Sequence, residues 1–381
     1  MLGITAYKEG VTMTSIINIG MDVHTTNFTL CAYSLEGQQP FAQTQINPNV
    51  RELDKYLKTL KRELGGDVVF ICGYEAGCFG YSLYHEISGL GYECRIIAPT
   101  TMARSIDQKQ KKNDRRDAEA IAKCLTFGTC KFVYIPTKKD DSVKEFIRMR
   151  DDVRDSLKKI KQRTIALCTR HGKHYPKSYW TQSHIDWIRK LEFDSPLLRD
   201  TLEEYLLEYD RLTEKVEYLD KRIEEIAYED EYREKVMKLR CFRGIETHTA
   251  LSLVCEVGDF SRFPTAECFA SFLGLTPGEY SSGNKINTGG ITKAGNTHLR
   301  RLLIESAQSF SRAGSVKTKV LKSKQSGNSS STIAYADRAN DRLRRKWARM
   351  HYKSHNGNVI KTAIARELAC FIWGMMTENT V

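Results

Sequence analysis

The chain has 381 residues, of which 41% are hydrophobic and 10% aromatic, and its net charge is +12. This composition excludes an intrinsically disordered protein, and the length is sufficient for two or three domains. The sequence has no apolar run of the roughly 18 residues that cross a bilayer, which argues against a membrane protein. From Arg240 onward there are 21 basic and 10 acidic residues. Such a basic region indicates a nucleic-acid partner, although a basic surface that maintains solubility has the same composition.

The 11 cysteines show no C-x-x-C pair and no regular spacing, and we find no signal peptide. We therefore expect reduced thiols in a cytoplasmic protein. A local cluster of Cys168, His171 and His174 is a candidate zinc site, but no second ligand pair follows it at zinc-finger spacing.

The first third of the chain predicts an α/β layer fold. Three antiparallel strands are followed by an alternation of helices and buried, parallel strands, which is the pattern of such a fold. The predicted strands are residues 15–23, 27–33, 41–46, 67–74, 93–98 and 131–135. The predicted helices between them are residues 49–64 and 79–90.

A further helix is predicted to begin at Asn113, because Asn113 and Asp114 are good N-cap residues. Asp114 and Asp117 are three residues apart, so both side chains project from one face of the first helical turn. Taken alone, the pair also fits a solvated acidic helix start that is paired with Arg115 and Arg116.

Two acids upstream favour a metal site instead. Asp22 ends the first predicted strand and Glu75 ends the central one, and sites in open α/β sheets gather at the carboxyl ends of strands. A charged residue that ends a buried apolar strand is difficult to explain by core packing. We therefore expect Asp22, Glu75, Asp114 and Asp117 to converge into a four-carboxylate pocket suited to Mg²⁺ and two-metal phosphoryl transfer.

From Asp141 onward the pattern becomes helical. Apolar residues occupy heptad core positions from Val143 to Leu167, and again without a break from Leu198 to Ile226. The second run predicts a coiled-coil hairpin that projects from the globular part and contacts a partner. Two ordinary core helices are the alternative.

The last third is predicted to be mainly helical, with a glycine-rich stretch from Gly274 to Gly295. Glycines let the backbone approach a phosphodiester, and a serine hydroxyl in such a loop is a candidate nucleophile. Four cations in or after the stretch can neutralise a phosphate. They are Lys285, Lys293, Arg300 and Arg301. A flexible surface loop is the alternative. Residues 314–332 are expected to form a linker rich in serine and lysine.

Several of these blocks, taken in order, resemble the DEDD transposases of bacterial insertion sequences, in the family numbered one hundred and ten, which are bridge-RNA-guided serine recombinases. The resemblance covers nearly the whole chain from about Ile16. The blocks are Gly20–His24, Tyr74–Gly77, Asn113–Ala118, Gly274–Pro277, Ser281–Gly283, Thr292–Asn296 and Leu299–Arg301.

The resemblance implies an α/β RuvC-like catalytic domain of the RNase H fold, a helical coiled-coil hairpin and a mainly α-helical C-terminal transposase domain that carries the catalytic serine. With the patterns above, it places these three parts at residues 15–138, 139–235 and 236–381. Residues 1–14 are then expected to be a disordered extension.

The resemblance also implies roles for individual residues. The four acids of the family fall on Asp22, Glu75, Asp114 and Asp117. The catalytic serine of the family precedes the glycine of a Ser-Gly pair, which is Ser282 here, and Ser281 is the second candidate. The serine is expected to attack a DNA phosphate and form a phosphoserine link while the acids hold Mg²⁺.

The implied partners are donor and target DNA, a structured guide RNA and further copies of the chain, as a dimer that assembles into a tetramer. The expected location is the cytoplasm, in association with the nucleoid. One block departs from the family: a hairpin that often contains Pro-Gly-Ile-Gly has Arg243-Gly244-Ile245-Glu246 here. An acid beside a DNA phosphate is unfavourable, so this hairpin is a weaker candidate for DNA contact.

Two alternative functions remain at this stage. The first is a metal-dependent nuclease that resembles a junction resolvase and forms no covalent intermediate. The second is an RNA- or DNA-binding protein with a decayed site, which the presence of all four acids and the serine argues against.

Overall fold

A computed structural model describes residues 15–65, 67–102, 113–279 and 287–379. The chain divides into two compact units, which meet in sequence between Ile135 and Pro136. Each unit has its own hydrophobic core. The predicted extension at residues 1–14 lies outside the described residues, and the predicted division into three domains stays a prediction. In the described part of the chain, no helix combines the length and the apolar character needed to cross a membrane.

The first unit is built on a five-stranded sheet. The strands are β1 (Ser15–Val23), β2 (Phe28–Ser34), β3 (Pro40–Ile46), β4 (Val68–Glu75) and β5 (Glu93–Ile97). They lie in the order β3-β2-β1-β4-β5. β1, β2 and β3 pair antiparallel, whereas β4 pairs parallel with β1 and with β5. The prediction of three antiparallel strands followed by parallel strands is confirmed.

Helices cover both faces of this sheet. They are α1 (Val50–Leu64), α2 (Ser82–Gly89) and α3 (Asp114–Phe127), with a 3₁₀ turn at Pro99–Thr101. α1 and α2 pack against the face that carries Leu30 and Ala32, and α3 packs against the opposite face, which carries Cys31 and Tyr33. Residues 131–135 were predicted to be a strand, but there the structure has only an isolated bridge between Phe132 and Ile97.

The second unit is mainly helical. Its helices are α4 (Lys138–Arg170), α5 (Gln182–Arg189), α6 (Pro196–Ala227), α7 (Asp230–Arg240), α8 (Thr247–Val257), α9 (Ala266–Phe272), α10 (Thr297–Ala307), α11 (Lys319–Gln325), α12 (Ser330–Tyr352) and α13 (Gly357–Met376). Two short strands, β6 (Pro277–Glu279) and β7 (Thr288–Ile291), pair antiparallel. Short 3₁₀ turns cover Phe260–Arg262 and Gln308–Arg312.

Residues 314–332 were predicted to be a linker, and this prediction is wrong. The segment contains α11, whose Leu321 and Gln325 are buried. The Gln325 side-chain amide donates a hydrogen bond of 3.2 Å to the backbone carbonyl of Cys241. The polar composition of the segment conceals a helix that is held by a buried amide rather than by a large apolar face.

The predicted heptad runs form the long helices α4 and α6. Leu167 packs beside Leu202 at one end, Ile160 lies with Leu212 in the middle, and Ile147 lies with Ile223 at the other end. The two helices therefore run antiparallel, and the apolar seam of α6 is covered by α4 of the same chain. The prediction that this seam is buried against another helix is confirmed. Its assignment as a coiled coil, and a role in contacts between subunits, stay predictions.

This packing predicts that Leu212→Asp combined with Leu219→Asp will unfold the α4–α6 hairpin. Both leucines are less than 5% exposed, and each buried carboxylate is expected to cost about 3 kcal/mol or more. The measurement is thermal unfolding followed by circular dichroism.

The matched control is Leu207→Asp combined with Tyr218→Asp on the same helix, where both side chains are more than 60% exposed. The control should melt close to the wild type. Equal melting temperatures for the two double variants would show that the α6 seam does not hold the hairpin together.

Candidate active site

Helix α3 lies directly against β1 and β4 because glycines occupy the contact. Gly20 and Gly73 are register neighbours across the parallel β1–β4 pair. A Cβ atom on Gly20 would lie 2.1 Å from the carbonyl oxygen of Ala118 and 2.4 Å from the nitrogen of Ala122. A Cβ atom on Gly73 would lie 2.7 Å from the side chain of Leu125. Any side chain at Gly20 therefore forces the backbone of α3 away from the sheet.

The start of α3 is fixed by its cap. The Asn113 side chain accepts a hydrogen bond of 3.0 Å from the backbone N–H of Arg115, which confirms the predicted helix start. Asp114 and Asp117 lie in the first turn. Ala118 lies against Gly20, and Gly20 is two residues before Asp22 in β1. The first turn of α3 therefore comes close to the carboxyl end of β1.

Three side chains meet at this point. The ligand atoms of Asp22, His24 and Asp114 all lie within 4.8 Å of one another. His24 Nε2 is 3.4 Å from Asp22 Oδ2. Burial raises the pKa of the Asp22 carboxyl, His24 offsets part of this, and the charges of Asp114 and Asp117 raise it further. The pKa of Asp22 therefore lies above its ordinary value, mainly because the carboxyl is buried and in smaller part because the neighbouring carboxylates repel its charge.

This arrangement fits a divalent cation. Asp22 Oδ2 is buried, and within the described residues its long contact of 3.4 Å with His24 Nε2 is not a regular hydrogen bond. A buried carboxylate oxygen without a donor is costly, and a hard cation coordinated by oxygen ligands removes that cost. The two carboxylates and the imidazole at this end of the sheet are therefore suitable ligands for a divalent cation.

The other two predicted acids lie outside this close group of described residues. Glu75 directly follows Tyr74, which is in register with Met21, so Glu75 and Asp22 end neighbouring parallel strands at equivalent positions. Asp117 is one turn along α3 from Asp114, and its charge acts on Asp22.

Sequence reasoning did not assign His24 to the site. Asp22 and His24 are two residues apart at the end of an extended segment, a spacing that places both side chains on the same side. That spacing is visible in the sequence and was the available signal.

The predicted serine nucleophile cannot be placed with these groups, since Ser281, Ser282 and Lys285 lie outside the described residues. The strands that flank them, β6 and β7, are described and form a short antiparallel pair.

Lys293, which follows this strand pair, is exposed and has a positive φ of 57°. Its N–H donates to the Gly274 carbonyl at 3.2 Å, and the Thr292 N–H donates to the Thr276 carbonyl at 2.9 Å. These bonds close the base of the β6–β7 pair. The Lys293 side chain is exposed next to this strand pair.

Arg300 and Arg301 were predicted to bind phosphate, but their guanidinium groups are engaged within the protein. Arg300 is 9% exposed and donates to the Leu273 carbonyl at 3.0 Å and to Thr297 Oγ1 at 3.1 Å. Arg301 is ion-paired with Asp151. Both arginines therefore hold α10 in place, and their prediction as nucleic-acid ligands stays untested.

Asp151 is the centre of a buried polar network that links α4, α8 and α10. Its carboxylate lies 3.0 Å from His248 Nε2 and 3.0 Å from His298 Nε2, and it also pairs with Arg150 and Arg301. The network binds the first turn of α10, which follows the β6–β7 pair, to the two helices that pack against it.

His298 connects Asp151 to a second buried acid, Glu256. His298 Nδ1 lies 3.3 Å from Glu256 Oε1, and Glu256 accepts further bonds from Arg148 at 2.7 Å and from the Asn296 amide at 2.9 Å. An imidazole between two carboxylates is held best when both ring nitrogens are protonated.

Burial opposes these charges, and the ion pairs outweigh it. For Glu256, burial alone would raise the pKa, but His298, Arg148 and Asn296 lower it to about 2. The pKa of Asp151 is lowered well below its ordinary range, mainly by His248, His298 and Arg301. Burial lowers the pKa of His298, but Asp151 and Glu256 reverse this and raise it above its usual value.

The mixed sheet, with acids at the ends of β1 and β4 and at the start of α3, is consistent with the metal-dependent catalytic domain of a DEDD enzyme. Comparisons with known proteins agree. A family model of DEDD transposases of the IS110 type matches residues 19–172, and a model described as the transposase IS116/IS110/IS902 family matches residues 237–322.

Relatives match over most of their length. The transposase for insertion sequence element IS1533 of Leptospira borgpetersenii is 31% identical over 347 residues, which cover 88% of this chain and 97% of the relative. A putative transposase of Sinorhizobium fredii is 33% identical over 312 residues, covering 81% and 76%. The transposase for element IS1328 of Yersinia enterocolitica is 27% identical over 312 residues, covering 82% and 85%.

The chain belongs to the IS110 family of insertion-sequence transposases. It is therefore an enzyme that cleaves and rejoins DNA, and its DEDD acids imply a divalent metal ion.

The carboxylate cluster makes a prediction that does not depend on catalysis. A divalent ion should raise the melting temperature of the wild type, because it binds the folded site and removes the repulsion there. Asp22→Asn should lose this rise, yet melt no lower than the wild type in chelator. Differential scanning fluorimetry with and without Mg²⁺ measures both effects.

The control is Glu63→Gln, an equal change of charge at an exposed position of α1 in the same unit. It should keep the full rise in melting temperature with metal. An unchanged rise in Asp22→Asn would contradict the assignment of Asp22 as a ligand.

The polar network predicts a dependence of stability on pH. A histidine with a raised pKa stabilises fully below its unfolded pKa of about 6.5, and this contribution is lost as the pH rises through the folded value. In His298→Gln, stability should no longer fall as the pH rises through the folded pKa of His298. The variant should also be less stable by about 3 kcal/mol near neutral pH, because two buried carboxylates lose their shared partner.

Urea unfolding at a series of pH values measures both effects, with the exposed His351→Gln as the control. The control should keep the pH profile of the wild type. If His298→Gln still loses stability at alkaline pH as the wild type does, a group other than His298 causes that loss.

Proposed function

We propose that this transposase is an RNA-guided DNA recombinase of an insertion sequence, which cuts and rejoins DNA with Mg²⁺ and a serine nucleophile. The observation that carries the proposal is the meeting of Asp22 and Asp114 across the β1–α3 contact. Membership of the IS110 family supports the extension to recombinase chemistry. The proposal includes the assignment of the first unit to the RuvC-like RNase H fold.

In this proposal Asp22, Glu75, Asp114 and Asp117 hold Mg²⁺. The bound ion supplies positive charge to the phosphate that is attacked. The protein holds Asp22 and Asp114 close together despite their repulsion, because the β1–α3 contact fixes the backbone that carries them. His24 is positioned to add a nitrogen ligand or to hold Asp22 in orientation.

Ser282 is the proposed nucleophile, with Ser281 as the second candidate. The Ser282 oxygen attacks a DNA phosphorus atom, its proton leaves, and the bond from phosphorus to a deoxyribose oxygen breaks to release a DNA hydroxyl. A second DNA hydroxyl then attacks the phosphoserine and regenerates the serine. Each step exchanges one phosphodiester for another, so rejoining needs no nucleotide cofactor.

The proposed partners follow from the same family logic. They are donor and target DNA, a structured guide RNA, and further copies of the chain as a dimer that assembles into a tetramer. The charge of the C-terminal region supports the nucleic-acid partners, since 21 basic residues face 10 acidic ones from Arg240 onward. Lys285 and Lys293 are the proposed phosphate contacts nearest to the serine in sequence.

The alternative function is a metal-dependent nuclease in which water attacks the phosphate. The acidic cluster supports it equally well, because hydrolysis and transfer need the same metal site. The two functions differ only in whether a protein–DNA bond forms.

Replacement of the serine separates these functions. Ser282→Ala should lose cleavage and the covalent protein–DNA species, while it keeps nucleic-acid binding and stability. Asp22→Asn should also lose cleavage, because its defect lies in the metal site. The covalent species is measured with labelled DNA on denaturing gels after a quench.

Ser281→Ala is the matched control, and it should retain most of the cleavage. If Ser282→Ala cleaves DNA at nearly the rate of the wild type, water is the nucleophile, and the nuclease replaces the recombinase.

A further inference from the structure

The surface between α12 and α13 forms a groove of about 620 Å³ in which every lining side chain is charged. Two of these side chains are acidic, Asp341 and Glu367. The others are cationic, namely Arg338, Arg342, Arg345, Lys346 and Arg349. A concave surface with this excess of positive charge attracts a polyanion and offers little to an apolar ligand.

The arginines follow a helical repeat. Arg338, Arg342, Arg345 and Arg349 are spaced by four, three and four residues, so they share one face of α12. They span 11 residues, or about 16 Å of helix at about 1.5 Å per residue. One strand of duplex DNA presents a phosphate about every 3.4 Å of axis, so the row matches about five nucleotide steps.

The two acids hold the cations in place and do not cancel them. Glu367 pairs with Arg342 and, at 2.5 Å, with Lys346, while Asp341 pairs with Arg345 at 2.5 Å. The side chains of Arg342 and Arg345 nevertheless remain 71% and 74% exposed. Side chains that are oriented in advance lose less conformational freedom when a phosphate binds.

The opposite face of α12 is fixed in the core of the helical unit. Ala336, Ala339 and Leu343 are fully buried there, and Trp347 is nearly so. The row of arginines therefore stands on a rigid helix. Arg300 and Arg301 also make contacts within the protein, but they are less exposed than the groove arginines, at 9% for the residue Arg300 and 36% for the side chain of Arg301.

We propose that the α12–α13 groove binds the phosphodiester backbone of nucleic acid, without regard to sequence, through Arg342, Arg345 and Arg349. This inference deepens the proposed function, since it names a surface on which that function holds its nucleic acid. Guanidinium groups recognise phosphate oxygens through paired N–H donors, and such contacts position a strand without identifying its bases.

The test measures binding of the full chain by fluorescence anisotropy over a series of KCl concentrations, with duplex DNA of arbitrary sequence and with an RNA hairpin. Divalent metal is omitted so that cleavage does not enter the result. In Arg342→Gln, Arg345→Gln and Arg349→Gln combined, the slope of log K against log salt should fall by about 2.7 for duplex DNA, at about 0.9 for each lost phosphate contact. A fall with only one of the two probes identifies the nucleic acid that the groove holds.

Two controls accompany this variant. Arginine-to-lysine changes at the same three positions keep the charge and should restore most of the slope, and the glutamine variant should melt at the temperature of the wild type, which excludes misfolding as the cause of its loss. Glutamine at Arg199, Arg211 and Arg222 removes the same charge from α6, where each arginine is paired with a glutamate and the side chains are 35%, 63% and 51% exposed. It should leave the slope nearly unchanged.

The inference is overturned if the groove variant keeps the wild-type slope with both probes, or if the α6 variant lowers the slope equally. The Ser282→Ala and Asp22→Asn variants should bind with the wild-type slope, so failure of the recombinase chemistry is distinguishable from failure of the groove.

Discussion

The contact between Gly20 and the backbone of α3 is the constraint on which the candidate active site depends. It removes the side-chain layer that normally separates a helix from a sheet, so that Ala118 and Ala122 lie directly on β1. The acids at the start of α3 thereby approach Asp22 more closely than ordinary packing allows. Carboxylates at this distance repel one another, which adds to the effect of burial in raising the pKa of Asp22, and the apolar residues buried beneath α3 stabilise the approach. The ligands of the candidate metal site are therefore already close together before an ion binds.

Much of this arrangement can be predicted from short stretches of the sequence. The strand order in the chain, the cap at Asn113 and the acids that end β1 and β4 each follow from a few neighbouring residues, and the resemblance to the transposase family draws on the same blocks. The convergence of Asp22 and Asp114 was predicted, but the glycine contacts that produce it were not. Gly20 and Gly73 are far apart in the chain, and nothing in either segment reveals that both lie under one helix.

The helical unit shows the same limit of local sequence patterns. Heptad periodicity predicts a buried seam on α6, but periodicity does not identify the covering helix, which is α4 of the same chain. Residues 314–332 have the composition of a linker, yet one buried amide and one leucine suffice to anchor α11. Local composition reports how much apolar surface a segment has, and it says little about single buried hydrogen bonds.

Composition alone does not predict which arginines are accessible to a nucleic acid. Arg300, Arg301 and Arg342 are indistinguishable as letters, although the first two stabilise α10 and the third faces solvent. The difference arises from the partners that the fold supplies. Asp151 and Glu256 are buried, and buried carboxylates require cations within reach, so they recruit Arg301, Arg148 and His298 into the protein. The net charge of a region therefore overstates what it can offer to a nucleic acid.

The two units also place opposite demands on a DNA phosphate. Acids that converge at the end of β1 repel a phosphodiester as they repel one another, so their site accepts one only when a cation is present. The basic C-terminal region attracts the same polymer without any metal and over a longer range. Nucleic-acid binding and strand cleavage should therefore separate when divalent ions are removed: binding persists through the arginines of the second unit, and the acidic site stays closed to the substrate. This separation follows from charge alone, and it holds whether serine or water attacks the phosphate.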